Sequence, residues 1–152
     1  MKKKTIEEYI ENIYVLEKKH GKARTGLIAS RMGIKDSSVT EMIQKLEGKD
    51  LVRYERYHGV NLTPAGKKMA DELMNKHKII ADFLEIIGVK RELAEIDACQ
   101  IEHHVSVKTM DRLEKFVDFI NKAPQDPRWI EHFEHFVETG ERKECVLYNG
   151  EE

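Results

Sequence analysis

The stretch TGLIASRMGIKDSSVTEMIQKLE at residues 25–47 decides the fold. Ala29, Gly33 and Val39 stand in it at relative spacings of four and six. A helix-turn-helix constrains those three places sterically. It needs a small residue where two helices approach, a glycine able to take a left-handed φ in the turn, and a β-branched residue buried between the helices. Leu27, Ile28 and Met32 predict a short helix that Thr25 can cap and Gly33 ends. Val39, Ile43 and Leu46 form the inward stripe of the next, which Asp36 or Ser37 can cap.

Upstream, Ile6, Ile10, Ile13 and Tyr14 recur at helical spacing over residues 5–19, between Thr5 as N-cap and Gly21 as stop. Downstream, LVRYERYHGVNLT at 51–63 is rich in β-formers and breaks at Tyr57-His58-Gly59, which predicts a two-stranded wing. Thr63-Pro64 opens a long helix through Met69, Leu73, Ile80, Leu84 and Ile87 to Gly88. Further helices are expected over 91–104, after a Ser106 cap with Leu113, Phe116, Val117 and Ile120, and from Asp126-Pro127 with Ile130, Phe133 and Val137 as its buried stripe. The expected class is therefore mainly α. A winged helix-turn-helix fills 1–63, an all-helical domain 64–140, and a polar tail 141–152; the helical domain is expected to dimerise, because long apolar stripes in so small a chain need a partner surface.

The 152 residues suit one domain or two small ones. Charged residues at 36% and apolar ones at 40% exclude disordered and fibrous classes. No apolar run is long enough for a membrane span, and MKKKTIEEYIENIY carries carboxylates where a signal peptide has its apolar core, so a cytoplasmic chain is expected. Cys99 and Cys145 are too few for a disulfide framework. The net charge of −2 hides a split: residues 1–70 hold 15 Lys+Arg against 9 Asp+Glu, and the remainder 11 against 19. A basic first half suits a polyanion and an acidic, His-containing second half suits cations.

If the second helix of the motif reads DNA, the face opposite its apolar stripe presents Ser37, Ser38, Thr40, Glu41, Gln44 and Lys45. Gln44 suits adenine, the hydroxyls suit phosphates or base edges, and Lys45 with Arg24, Arg53 and Arg56 suits the phosphate backbone. Glu41 on that face opposes affinity unless it accepts from a cytosine amino group.

Cys99, Glu102 and His103 stand at i, i+3 and i+4, so a helix through them would gather thiolate, carboxylate and imidazole on one face. That mix binds transition metals, where Mg²⁺ or Ca²⁺ would take oxygen alone. Glu8 and Glu11 at i, i+3 on the first helix and His77 in the long helix could add to it, although each of these groups also fits a solvated surface. His132 and His135 with Glu131 and Glu134 read as the solvent side of the last helix.

With these residues in view, the chain resembles the metal-dependent repressors that include the diphtheria toxin repressor and the manganese transport regulators. The carriers are EEYIENIYVLE at 7–17, SSVTEMIQKLE at 37–47, LTPAGKKMA at 62–70, KHKIIADFLEIIGV at 76–89 and CQIEHHVS at 99–106. The resemblance implies a winged helix, a helical dimerisation domain and a regulatory metal between them. It matches Glu8, Glu11, His77, Cys99, Glu102 and His103 to ligand positions one by one. Cys99 looks like the iron-responsive branch and the acidic pair Glu8 and Glu11 like the manganese branch, so Fe²⁺ or Mn²⁺ is expected, with Co²⁺ and Zn²⁺ able to substitute in vitro. Ala81 stands where relatives often carry an acid of a second site, a role Glu95 could take. The expected partners are a second copy of the chain and a double-stranded operator with palindromic half-sites, without a membrane. Two other classes fit the residues less well: a winged-helix sensor of an organic ligand, and a small metallohydrolase, for which no nucleophile motif or phosphate-cradling loop exists.

Overall fold

The computed structural model describes residues 3–124 and 128–143. Among them the order is α1 (Lys3–His20), α2 (Thr25–Met32), α3 (Asp36–Glu47), β1 (Val52–Glu55), β2 (Gly59–Leu62), α4 (Pro64–Ile86), α5 (Arg91–Ile101), α6 (Val107–Asn121) and α7 (Arg128–Thr139). The chain divides into two compact units whose boundary falls inside α4. The first runs through Lys78 and takes back Glu102–His104, and the second holds Ile79–Ile101 and the chain from Val105 onward.

In the first unit, α2 and α3 form the helix-turn-helix. Ala29 is 3% exposed, Val39 is fully buried, and Gly33 closes α2 with φ at 67° while its N–H bonds back to the Ala29 carbonyl. Ile10 and Ile13 of α1, Ile28 of α2, Ile43 and Leu46 of α3, and Val52 and Val60 of the strands share one core, joined by Ala70 and Leu73 of α4. Each fully buried Ile or Leu there contributes about 1.5–3 kcal/mol. The strands pair antiparallel with Val52 opposite Leu62 and Tyr54 opposite Val60. The Glu17 carboxylate accepts from the Leu62 N–H at 3.0 Å and the Glu47 carboxylate from the Tyr54 N–H at 2.9 Å, which ties the wing to α1 and α3.

Thr63 starts α4 as expected. Its Oγ1 accepts from the Gly66 N–H at 3.0 Å and donates to the Asp50 carbonyl at 2.6 Å. Gly66 sits so close to the chain entering β1 that a Cβ on it would lie 2.0 Å from the Leu51 carbonyl oxygen. Helix starts elsewhere differ from the reading by a residue or two. α1 begins at Lys3, before Thr5, and α2 and α3 follow Arg24 and Lys35, neither of which makes a side-chain cap. Packing of the apolar stripes sets those ends without a cap bond. Ser106 does cap α6, accepting from the Thr109 N–H.

In the second unit, Ile79, Ile80 and Ala81 of α4, Ala98 of α5, and Met110 and Val117 of α6 form a separate core. Phe83 meets Phe116 edge-on at 5.8 Å, and Phe116 meets Trp129 of α7 at 6.0 Å. The apolar stripe expected to be buried on α7 is not. Phe133 is 38% exposed and Val137 68%, because none of the described residues covers that face of the short helix. The Asp126-Pro127 start, Cys145 and most of the polar tail lie outside the described residues.

Candidate metal centre and nucleic-acid interface

α1 turns Ile10 and Ile13 into the core, and that rotation carries Glu7 and Glu11, one helical turn apart, along a single flank. α5 ends at Ile101, and Glu102–His104 form a turn before the Ser106 cap. The helix expected through residue 104 thus stops at Ile101, and Glu102 and His103 follow it in the turn. Glu102 is instead drawn to His77 and His103 to Glu7, contacts that hold the turn within the first unit.

Glu11, Glu102 and His103 come together, each offering a donor atom within 4.8 Å of the others. His103 Nε2 lies 3.6 Å from Glu102 Oε1 and 3.9 Å from Glu11 Oε2, while its Nδ1 is 3.0 Å from Glu7 Oε2. His77 Nδ1 lies 3.0 Å from Glu102 Oε2. Burial first, then the carboxylates of Glu11 and Glu7, push the Glu102 carboxyl up to about 9. Oε1 of Glu11 is buried and without a hydrogen-bond partner among the described residues. An orphaned carboxylate oxygen beside a second carboxylate and an imidazole is a donor set that suits a divalent transition-metal ion.

Two expected members, Glu8 and Cys99, are not among those three converging donors. Glu8 is half-buried on α1, 3.9 Å from Lys4 Nζ. Cys99 is exposed on α5, in the second unit. Glu7 is the member that the sequence reading passed over. It stands i, i+4 from Glu11 with buried Ile10 between, a signal that periodicity offers only when the buried flank of α1 is already known. Ala81 is fully buried, and Glu95 joins Asp82 and Glu85 around the Arg91 guanidinium.

The DNA-side residues lie mostly in the open. Arg24, Ser37, Ser38, Gln44, Lys45, Arg53 and Arg56 are exposed. Thr40 is half-buried and its hydroxyl donates to the Asp36 carbonyl at 3.0 Å. Lys45 Nζ lies 2.5 Å from Glu41 Oε1, and this contact lowers the Glu41 carboxyl below its ordinary value. At the wing tip, Tyr57 has φ at 71° and is 90% exposed, with Arg56 stacked over its ring at 5.4 Å.

Residues 1–60 match the model of the iron dependent repressor N-terminal DNA binding domain, and residues 63–137 that of the iron dependent repressor metal binding and dimerisation domain. The chain belongs to the metal-dependent repressor family. Among the relatives of this family member, the HTH-type transcriptional regulator MntR of Geobacillus thermodenitrificans is 38% identical over 140 residues, covering 92% of this chain and 97% of the relative. The regulator of the same name from Bacillus subtilis is 40% identical over 118 residues, covering 78% and 83%. The solved structure of the manganese regulator SloR superposes with a TM-score of 0.64 at 32% identity, over 75% of this chain and 54% of that longer one. The chain is a metal-dependent, DNA-binding transcriptional repressor of winged-helix architecture with a dimerisation domain. The relatives are regulators and not enzymes, and they lend no support to an organic-ligand sensor or a metallohydrolase. No described helix is long and apolar enough to cross a membrane.

Proposed function

We propose that this repressor acts in the cytoplasm as a homodimer that binds palindromic operators of metal-uptake genes when Fe²⁺ or Mn²⁺ is present. The ligands are Glu11, Glu102 and His103, joined by Glu8, His77 and Cys99. The orphaned Glu11 Oε1 beside Glu102 and His103 is the observation that carries this reading. The names of the MntR relatives and of SloR favour manganese, the family description favours iron, and carboxylate with imidazole accommodates both.

A divalent cation would supply the positive charge that favours the ionised form of the Glu102 carboxyl. The chain's own residues do the rest. Glu11 lies on α1, in the stretch matched to the DNA binding domain, whereas Glu102 and His103 lie in the stretch matched to the metal-binding and dimerisation domain. Drawing them together restricts how α1 moves against that stretch. In a two-fold dimer both α3 helices must enter major grooves at one half-site spacing, so lost freedom before docking lowers the entropic cost of binding. A coupling of about 1–3 kcal/mol strengthens DNA binding about 5- to 150-fold. Exposed Ser37, Ser38 and Gln44, with half-buried Thr40, form the reading face, and Arg24, Lys45, Arg53 and Arg56 meet phosphates.

The test is anaerobic DNA binding by metal-free protein titrated with Mn²⁺, Fe²⁺, Co²⁺ and Zn²⁺. Glu102→Gln and His103→Ala are expected to abolish metal stimulation with dimer and fold intact. Full activation of His103→Ala at wild-type metal concentrations would place regulation elsewhere.

A further inference from the structure

Glu7 is 2% exposed, as deeply buried as Glu102, yet it lies outside the group of converging donors. Its Oε2 sits 3.0 Å from Nδ1 of His103, whereas Glu11 and Glu102 face the opposite ring nitrogen, Nε2. The imidazole is therefore clasped between two successive turns of α1, Glu7 on one edge and Glu11 on the other. A carboxylate accepts hydrogen bonds and an Nδ1–H donates one, so the 3.0 Å contact is matched by the tautomer with its proton on Nδ1. A neutral imidazole with its proton on Nδ1 carries its lone pair on Nε2, the atom that faces Glu11 and Glu102.

From this geometry we propose that Glu7 is a positioning residue for the metal centre. It fixes the Nδ1–H tautomer and the ring orientation of His103 and so commits Nε2 to the cation. Its neighbour Glu8 makes no such contact with His103 in the described chain: its side chain is 39% exposed and lies 3.9 Å from Lys4 Nζ. A carboxylate on the outer nitrogen of a ligating histidine raises ligand basicity and sets its aim, and losing such a partner typically costs 10–100-fold in metal affinity. The inference rests on the ligand role proposed above for His103.

Two variants separate the possibilities. Glu7→Gln keeps an oxygen able to accept from Nδ1–H, and Glu7→Leu keeps the bulk and removes the acceptor. The ring nitrogens of His103 are read by ¹⁵N NMR on the metal-free full chain, and Mn²⁺ affinity is read by chelator competition. Wild type and Glu7→Gln are expected to hold the Nδ1–H tautomer and to bind Mn²⁺ alike. Glu7→Leu is expected to mix tautomers and to bind about 10–100-fold more weakly. Unchanged tautomer and affinity in Glu7→Leu overturn the inference. So does a Glu7→Gln that loses affinity as fully as Glu7→Leu with its tautomer intact, since Glu7 would then be a ligand. If the wild-type chain itself takes up no Mn²⁺ or Fe²⁺, the function proposed above fails and this inference with it, a result distinct from both.

Discussion

Nδ1 of His77 lies 3.0 Å from Oε2 of Glu102, a carboxyl that is 2% exposed. The contact joins α4 to the turn after α5. With the Glu102 carboxyl raised to about 9, the folded metal-free chain holds a proton that the unfolded chain releases near the ordinary glutamate value. Glu102 contributes stability that is full below that ordinary value and is lost as pH rises through about 9. Metal binding needs the carboxylate, so Mn²⁺ affinity is expected to rise with pH over the same window. Calorimetry near pH 7.5 in buffers of different ionisation enthalpy is expected to show about one proton released per ion bound, and Glu102→Gln to show none.

Lys45 is already engaged with Glu41 at 2.5 Å in the DNA-free chain. Glu41→Gln is expected to release it and to strengthen binding to any duplex. Lys45→Ala and Arg53→Ala are expected to weaken binding across sequences, each reducing the salt slope by about one. Gln44→Ala is expected to relax preference at one base pair per half-site, at a cost of about 1–3 kcal/mol on the preferred sequence. Fluorescence anisotropy over a salt series separates these outcomes.

Cys99 governs metal choice under the proposed function. Cys99→Asp exchanges a soft donor for a hard one and is expected to move the half-maximal activating concentration toward Mn²⁺ and away from Fe²⁺. Equal shifts for both metals, measured anaerobically, would remove Cys99 from the ligand set.

Gly66→Ala places a methyl group where the Leu51 carbonyl oxygen already lies, 2.0 Å from the ideal Cβ. Overpacking of this kind costs about 1–3 kcal/mol, and here it pushes α4 off the entry to the wing. Urea denaturation is expected to report that loss in the midpoint with little change in slope.

Leu93 and Ile96 of α5 and Phe119 of α6 are more than half exposed in the single chain, in the stretch matched to the dimerisation domain. The combined change Ile96→Glu and Phe119→Glu is expected to shift sedimentation from dimer to monomer at micromolar concentration while helicity is retained. A metal-independent monomer in the wild type would remove the dimer from the proposal.

The reading domain was legible because its restraints are local. Ala29, Gly33 and Val39 report a turn between adjacent helices, and Thr63-Pro64 reports a helix start, without reference to distant chain. The metal centre was legible in part. Glu11, Glu102 and His103 have the right chemistry, but Glu7 and Glu8 look alike in sequence, and only the rotation of α1 against its core buries the first fully and the second by half. The end of α5 at Ile101 was hidden for a similar reason, since tertiary contacts of Glu102 and His103 override the helical spacing that joined them to Cys99. On α7, periodicity identified an apolar stripe and could not say that the described residues of the chain leave it uncovered.

The return of Glu102–His104 to the first unit has a kinetic consequence. Glu7 and His103 are 96 positions apart, so their contact closes a far longer loop than any pairing within the helix-turn-helix or the wing. On a ribosome the reading domain can assemble its apolar core as soon as the first stretch of α4 emerges, yet its polar corner must wait for α5 to be made. Long loops form late because their closure entropy comes due before the contact rewards it. The corner that would sense the ion is thus the last part of its unit to be completed during synthesis.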